Sequence, residues 1–433
     1  MERLIRLRQR LLPADETGNV FRGMATLALG SGIGRAIGVL AIPVLTRIYT
    51  PDDYGVLSVF TAFVFMLLPI LTLRYVMAVP LPRHDGTAMN LVALSAVAML
   101  GFTVFFTLLF MLFAEPVLAL LSMEALAPWW WLVVLGLLGT ACYEIMTVWA
   151  QRKRSYRVIA RTQVFQNLVG ALIKILLGLL ALKPGGLLLG QVASQSGGVG
   201  SYLRAFYKDF RVNRRFVTRH RMWVLAGRYR GFPIFRLPSR FLLIYSTQAP
   251  LLYSAALYGA GTTGHLGLAF MAMALPVTLI SQSLADAFFA ELSNLDRNDI
   301  RTQWRIAIRV IKVVSVISVP IFLFLFFFAK PLSVLVFGQD WAATGAFITA
   351  LSPYLVVQLI SNPLTRILDV HEKHGLFLWI NGQRALLISM VFLLAAWLDW
   401  QPILTIATFS AVLFGHYIFS VLITLRMLKA RMA

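Results

Sequence analysis

Arg35 and Lys174 stand where a membrane-crossing segment ordinarily carries no charge. Arg35 lies 13 residues past Arg22 and 12 before Arg47. It sits inside an apolar run from about Val20 to Leu45, and crossing a bilayer takes ~20 such residues. Its Cα is therefore about 18–20 Å of helix from either flanking arginine, too far for comfortable snorkelling. Lys174 lies 13 residues after Arg161 and nine before Lys183. An ionised group at mid-bilayer costs ~2.5–3.5 kcal/mol even on the lenient insertion scale, so it faces a bundle interior or a wet cavity. Arginine would bring a bidentate fork to a phosphate and lysine a point charge. The other outcome open to both is a structural pair with Glu144 or with backbone carbonyls.

The remaining charged candidates are less isolated. Arg74 and Arg384 lie nearer the inner ends of their spans, so anchoring competes with ligand contact there. Arg47 reads as an external anchor or an outer-gate cation. Glu144 and Asp286 are acids near inner span ends, suited to gating or to ion pairs with nearby arginine. Asp52 and Asp53 follow Pro51 and are expected to cap a helix. His371-x-x-His374, with Asp369 and Glu372 beside it, lacks a third spaced ligand and reads as a solvated loop rather than a metal site. The sequence has no Gly-rich phosphate loop of the P-loop pattern, so ATP hydrolysis is not expected. The single cysteine, Cys142, excludes an internal disulfide. No catalytic residue, metal or cofactor is expected, and the chain does not read as an enzyme.

These residues need apolar elements to position them, and composition supplies those. The chain has 433 residues, 59% hydrophobic and only 13% charged, yet a net charge of +21. Soluble domains carry about 25% charged residues. Nucleic-acid binding would need a soluble basic face, which is missing here. The expected fold is an all-α polytopic membrane protein of about twelve helices. Their spans fall near residues 20–46, 54–78, 87–113, 126–149, 158–181, 185–206, 238–259, 264–289, 307–329, 343–365, 375–396 and 401–425. Of the 39 Lys and Arg, only Arg47, Lys183 and Lys330 fall on the outer side and Arg35 and Lys174 within spans if both termini face inward. That asymmetry sets an N-in/C-in expectation. Trp129–Trp131, Trp341, Trp397 and Trp400 sit where an interfacial belt should be.

The organisation expected is a basic amphipathic segment at 1–19 lying on the cytoplasmic leaflet, a six-helix lobe at 20–206, a basic cytoplasmic linker at 207–237, and a second six-helix lobe at 238–433. The first segment does not read as a cleaved signal, since Asp15 and Glu16 follow its arginines and the next apolar run is too long. Arg204 to Arg240 carries 11 basic residues and one acid, Asp209. It reads as an anchor on anionic lipid or as a gatherer of anionic substrate. A weak repeat fits two lobes: Pro43, Gly55 and Pro69 in the first half, and Pro250, Gly264 and Pro276 in the second. Transporters are commonly built from such paired halves.

Pro43-x-x-Thr46-Arg47-x-Tyr49-Thr50-Pro51-x-Asp53-Tyr54-Gly55, then Thr72-Leu73-Arg74-Tyr75 and the exit Pro80-Leu81-Pro82, resembles the polysaccharide and O-antigen flippases. That family belongs to the multidrug/oligosaccharidyl-lipid/polysaccharide (MOP) exporter superfamily. Phe232-Pro233, Gln248-Ala249-Pro250, Gly264–Ala269, Leu275-Pro276 and Ala287–Leu292 resemble it too. His265 departs from the pattern, where the family usually has an apolar residue. The resemblance implies alternating access in the bacterial inner membrane and an undecaprenyl-diphosphate-linked oligosaccharide as substrate. It further implies membrane lipids, a polysaccharide polymerase and a chain-length regulator as partners. On that reading Arg35, Lys174, Arg74, Arg384 and Arg47 contact substrate. A small-molecule or drug exporter of the same superfamily is the alternative, and a membrane-embedded polymerase a more distant one.

Overall fold

The computed structural model describes residues 16–119, 124–295 and 299–432. The expected segment at 1–19 therefore lies mostly outside the described residues. The chain is helical, and no strand occurs among the described residues. In order, the helices are α1 (Glu16–Ile48), α2 (Pro51–Leu71), α3 (Asp85–Ala119), α4 (Trp130–Arg152), α5 (Tyr156–Leu179), α6 (Gly185–Ser196), α7 (Val199–Asn213), α8 (Arg219–Arg228), α9 (Leu237–Pro276), α10 (Ser283–Asn294), α11 (Ile300–Phe337), α12 (Ala342–Leu364), α13 (Arg366–Val370), α14 (His374–Trp397) and α15 (Pro402–Lys429).

All twelve expected spans fall on helical segments, and nine helices among the described residues are long and apolar enough to cross a membrane. The outward faces are apolar as well: Leu168, Leu172, Leu176 and Leu179 line α5, and Val316, Phe324, Phe327 and Phe328 line α11. Exposed apolar area on that scale is not tolerated in water. This is a multi-pass membrane protein. The other three spans are interrupted. The run at 185–206 divides into α6 and α7 at Gly197-Gly198, and the stretch from 238 to 289 bends at Gly259 and passes through a π-turn at Val277–Gln282. Gly259 has φ 77° and ψ −174°, a region open essentially to glycine alone.

The chain divides into two compact units. One is formed mainly by residues up to Arg240, the other by Phe241 onward together with Tyr49–Ala62. In the first unit α1 packs along α5, where Gly30 lies against Ala160 and Gly34 against Gln163. Small residues at that spacing let helix backbones approach closely in lipid. In the second unit α12 packs on α11 and α15.

Two turns explain themselves chemically. Thr50 and Asp53 form a reciprocal cap at the start of α2: Asp53 Oδ2 accepts from the Thr50 backbone N–H and hydroxyl at 2.9 Å each, and the Asp53 N–H donates to Thr50 Oγ1. Within the second unit, the start of α2 crosses α9 so tightly that a Cβ at Gly55 would collide with the Ala260 backbone, and one at Gly264 with the Pro51 backbone. The two glycines of the sequence repeat thus meet at one crossing.

Candidate substrate-binding site

In the first unit, Arg74 is placed by an unusual turn. After α2 ends, Leu73 and Arg74 both take left-handed backbone, at φ 46° and 59°. That conformation costs roughly 1–2 kcal/mol per non-glycine residue, so other interactions must hold it. The Arg74 guanidinium donates to Glu144 of α4 at 2.9 Å, and both side chains are largely buried. Among the described residues Glu144 Oε2 has no hydrogen-bond partner, and the charge of exposed Arg240 reaches the pair. Glu144 is therefore an ion-pair acid.

A few residues on, Arg152 gathers the Pro80-Leu81-Pro82 exit. Its guanidinium donates to the carbonyls of Val79, Pro80, Pro82 and Arg83 and bonds the Asp85 carboxylate at 2.9 Å. Proline-rich backbone offers few N–H donors, and its carbonyls need donors from elsewhere. Lys153 pairs with Asp85 at 2.6 Å and Asp209 at 3.4 Å. Partial burial works against its charge, but the two carboxylates outweigh that and hold its pKa above the ordinary lysine value.

Arg35 and Lys174 take different positions within this unit. Arg35 is exposed on α1, with no hydrogen bond or ion pair among the described residues. At 3.6 residues per turn it lies about 140–180° around the helix from the exposed apolar residues Ile33, Leu40 and Val44, so it does not share their face. Lys174 is turned about 120–160° from the exposed leucines of α5. Its ammonium donates to Gln191 of α6 at 2.7 Å, and Gly190 leaves room for its stem. Arg47 folds back onto the Pro43 carbonyl at 2.7 Å, in the last turn of its own helix.

The second unit holds Arg384 on α14. Only 9% of it is exposed. Its guanidinium donates to Asn381 Oδ1 at 2.9 Å and to the Tyr417 hydroxyl at 3.3 Å, and it lies 6.0 Å from the Tyr417 ring centre. Gln358 donates to the same hydroxyl, and the Tyr354 ring stacks on that of Tyr417. Arg384 Nε is buried without a partner, and no carboxylate pairs with the guanidinium among the described residues. An isolated buried cation is costly unless something neutralises it. Asp286 falls on α10, but its side chain lies outside the described residues.

The residues that sequence reasoning missed are the neutral partners. Asn381 precedes Arg384 by three residues, a spacing that puts both on one helix face. Gln191 is a polar group inside an apolar run. Tyr417 gave no signal of its own. The solvated-loop expectation for His371 is corrected here: it is 7% exposed, its Nε2 meets Gln303 Oε1 at 2.8 Å, and the Arg431 guanidinium donates to its Nδ1 at 2.8 Å. Accepting from Arg431 requires neutral Nδ1, so Nε2 carries the proton. No group of three or more potential metal ligands occurs among the described residues.

The fold defines a class. Three solved structures share it: "Lipid II flippase MurJ, inward closed conformation" (TM-score 0.71, 13% identity, covering 93% of this chain and 87% of that one); an inward-facing multidrug resistance MATE family transporter of the MOP superfamily (0.69, 12%, 92% and 95%); and the Vibrio cholerae MATE transporter VcmN in its bent form (0.54, 14%, 95% and 99%). This chain shares the fold of these proteins. Residues 44–345 match the family described as "Polysaccharide biosynthesis protein", and the chain belongs to that family. Among curated proteins no sequence relative matches.

Proposed function

We propose that this protein is a flippase. It carries an undecaprenyl-diphosphate-linked oligosaccharide from the cytoplasmic to the periplasmic leaflet of the bacterial inner membrane by alternating access, for surface polysaccharide assembly. The family and the fold support a transporter of this general kind. The observation that carries the anionic substrate is Arg384, a buried guanidinium held by uncharged groups with one donor unspent. A diphosphate supplies the missing charge and acceptors, and charge-assisted hydrogen bonds are about twice as strong as neutral ones. Arg35 adds an exposed cation away from the apolar face of α1, and Lys174 an inward-turned one held by Gln191. Arg74 keeps its register through Glu144, and Arg47 stands at the outer end of α1.

Direction follows from electrostatics. Each negative charge moved outward across an inside-negative membrane gains ~2.3 kcal/mol per 100 mV, so collapse of the potential slows net transfer. The test is reconstitution in proteoliposomes with defined lipid-linked sugars, scored for arrival at the opposite leaflet. The wild-type protein transfers diphosphate-linked sugars, and Arg384→Met does so roughly 10–100-fold more slowly. Equal transfer by both proteins overturns the assignment.

A further inference from the structure

The linker between the two sets of spans is a built surface. Its backbone is fixed to the first unit at three points. The fully buried Asn90 donates to the Phe216 carbonyl at 3.0 Å and accepts from the Thr218 N–H at 3.0 Å, and the Tyr75 hydroxyl donates to the Ala226 carbonyl at 3.2 Å. Thr218 then caps α8 through the Arg221 N–H. One face of α8 is thereby pinned inward through Leu225, which is buried.

What faces outward is the opposite of a solvated helix. Trp223 is 70% exposed and Phe235 72%, and Val224 and Ile234 are exposed beside them. On α8, Trp223 and Val224 bound an arc about 100° wide that also holds the exposed His220 and Gly227, with Arg219 on one border and Arg221 and Arg228 on the other. Cation–aromatic contacts line the same stretch: Arg215 on Phe216, Arg228 on Tyr229 and Arg236 on Phe232. The one acid of the stretch, Asp209, is taken by Lys153. The chain enters this linker from one apolar segment and leaves it into another, so the surface is tethered at the membrane boundary. An apolar crest flanked by arginines is the pattern of a helix lying in the headgroup layer.

We propose that α8 and the adjoining Ile234-Phe235 form a docking surface for anionic phospholipid headgroups. Trp223, Val224, Ile234 and Phe235 enter the boundary between headgroups and acyl chains, and Arg219, Arg221 and Arg228 meet the phosphates. The occupant is lipid because the surface combines apolar residues with unneutralised positive charge at membrane level, and an anionic leaflet complements both. A basic residue near such a surface is worth roughly fivefold in binding, so the three arginines together contribute on the order of 100-fold.

The test uses the full chain in nanodiscs, with Cys142→Ser and Val224→Cys and a bimane label at position 224. Phosphatidylglycerol or phosphatidylcholine, brominated near the top of the acyl chains, is added at equal mole fraction, with iodide as the aqueous quencher. Brominated phosphatidylglycerol quenches the label more than brominated phosphatidylcholine, and iodide quenches it weakly. Arg219→Gln, Arg221→Gln and Arg228→Gln together remove the preference, and so does high salt in the protein with its arginines intact, which guards against a folding defect in the triple variant. Equal quenching by the two lipids overturns the proposal. So does a label shielded from iodide only in discs that hold two copies of the chain.

Discussion

Arg74, just past the end of α2, and Arg384, ten residues into α14, are both largely buried arginines, yet the protein treats them in contrasting ways. Arg74, in the first unit, is matched by a carboxylate 2.9 Å away. Arg384, in the second, is more deeply buried and held, among the described residues, by an amide oxygen, a phenol and an aromatic face. The first pair is electrically complete and acts as a brace for a left-handed turn. The second retains its full charge and an unused donor, the condition for receiving an anion. Burial of an arginine therefore does not assign a role; the partner does.

The comparison can be broken most forcefully at Glu144. Glu144→Gln leaves the Arg74 charge uncompensated and costs about 3 kcal/mol, the lower end for breaking a buried pair. Thermal unfolding in detergent should show that loss, and the double change Arg74→Met with Glu144→Leu should recover most of it. Arg384→Met is expected to do the reverse. It removes an unpaired buried charge, so stability is kept or raised, while transfer of diphosphate-linked sugar falls by roughly 10–100-fold, the worth of a charge-assisted bond of about 1.5–3 kcal/mol. A parallel loss of stability and transfer at both sites would erase the distinction. Lys174→Met, measured by the same transfer assay at constant protein level, is expected to fall between Arg384→Met and Tyr417→Phe. The smallest effect sharpens the picture: Tyr417→Phe removes one acceptor from Arg384 and costs about 1 kcal/mol, read as a several-fold drop in transfer with unfolding nearly unchanged.

Much of the architecture could be read from hydropathy, because apolar run length and charge asymmetry are linear properties of a chain. The Thr50–Asp53 cap was equally legible, since both partners lie within one turn. What the sequence hid depends on contacts across long separations. Arg74 and Glu144 were each candidates, but their union rests on two successive left-handed residues, Leu73 and Arg74, that no glycine announces. His371 resembled a loop residue because its cover, Arg431, comes from 60 residues away. Lys174 stands out as a charge, while Gln191, which accepts its hydrogen bond, looks like one more polar residue in an apolar run. The break at Gly259 falls where the span at 238–259 is expected to end, but the helix resumes at once instead of opening into a turn up to Gly264.

The crossing of Gly55 and Gly264 carries a consequence for how this protein can vary. Main chain touches main chain there, with no side chain between to trim or enlarge. The spacing at that point is set like a bearing without shims. A single added methyl at either position would wedge α2 and α9 apart, so adjustment of this joint over time has to come from the residues around it.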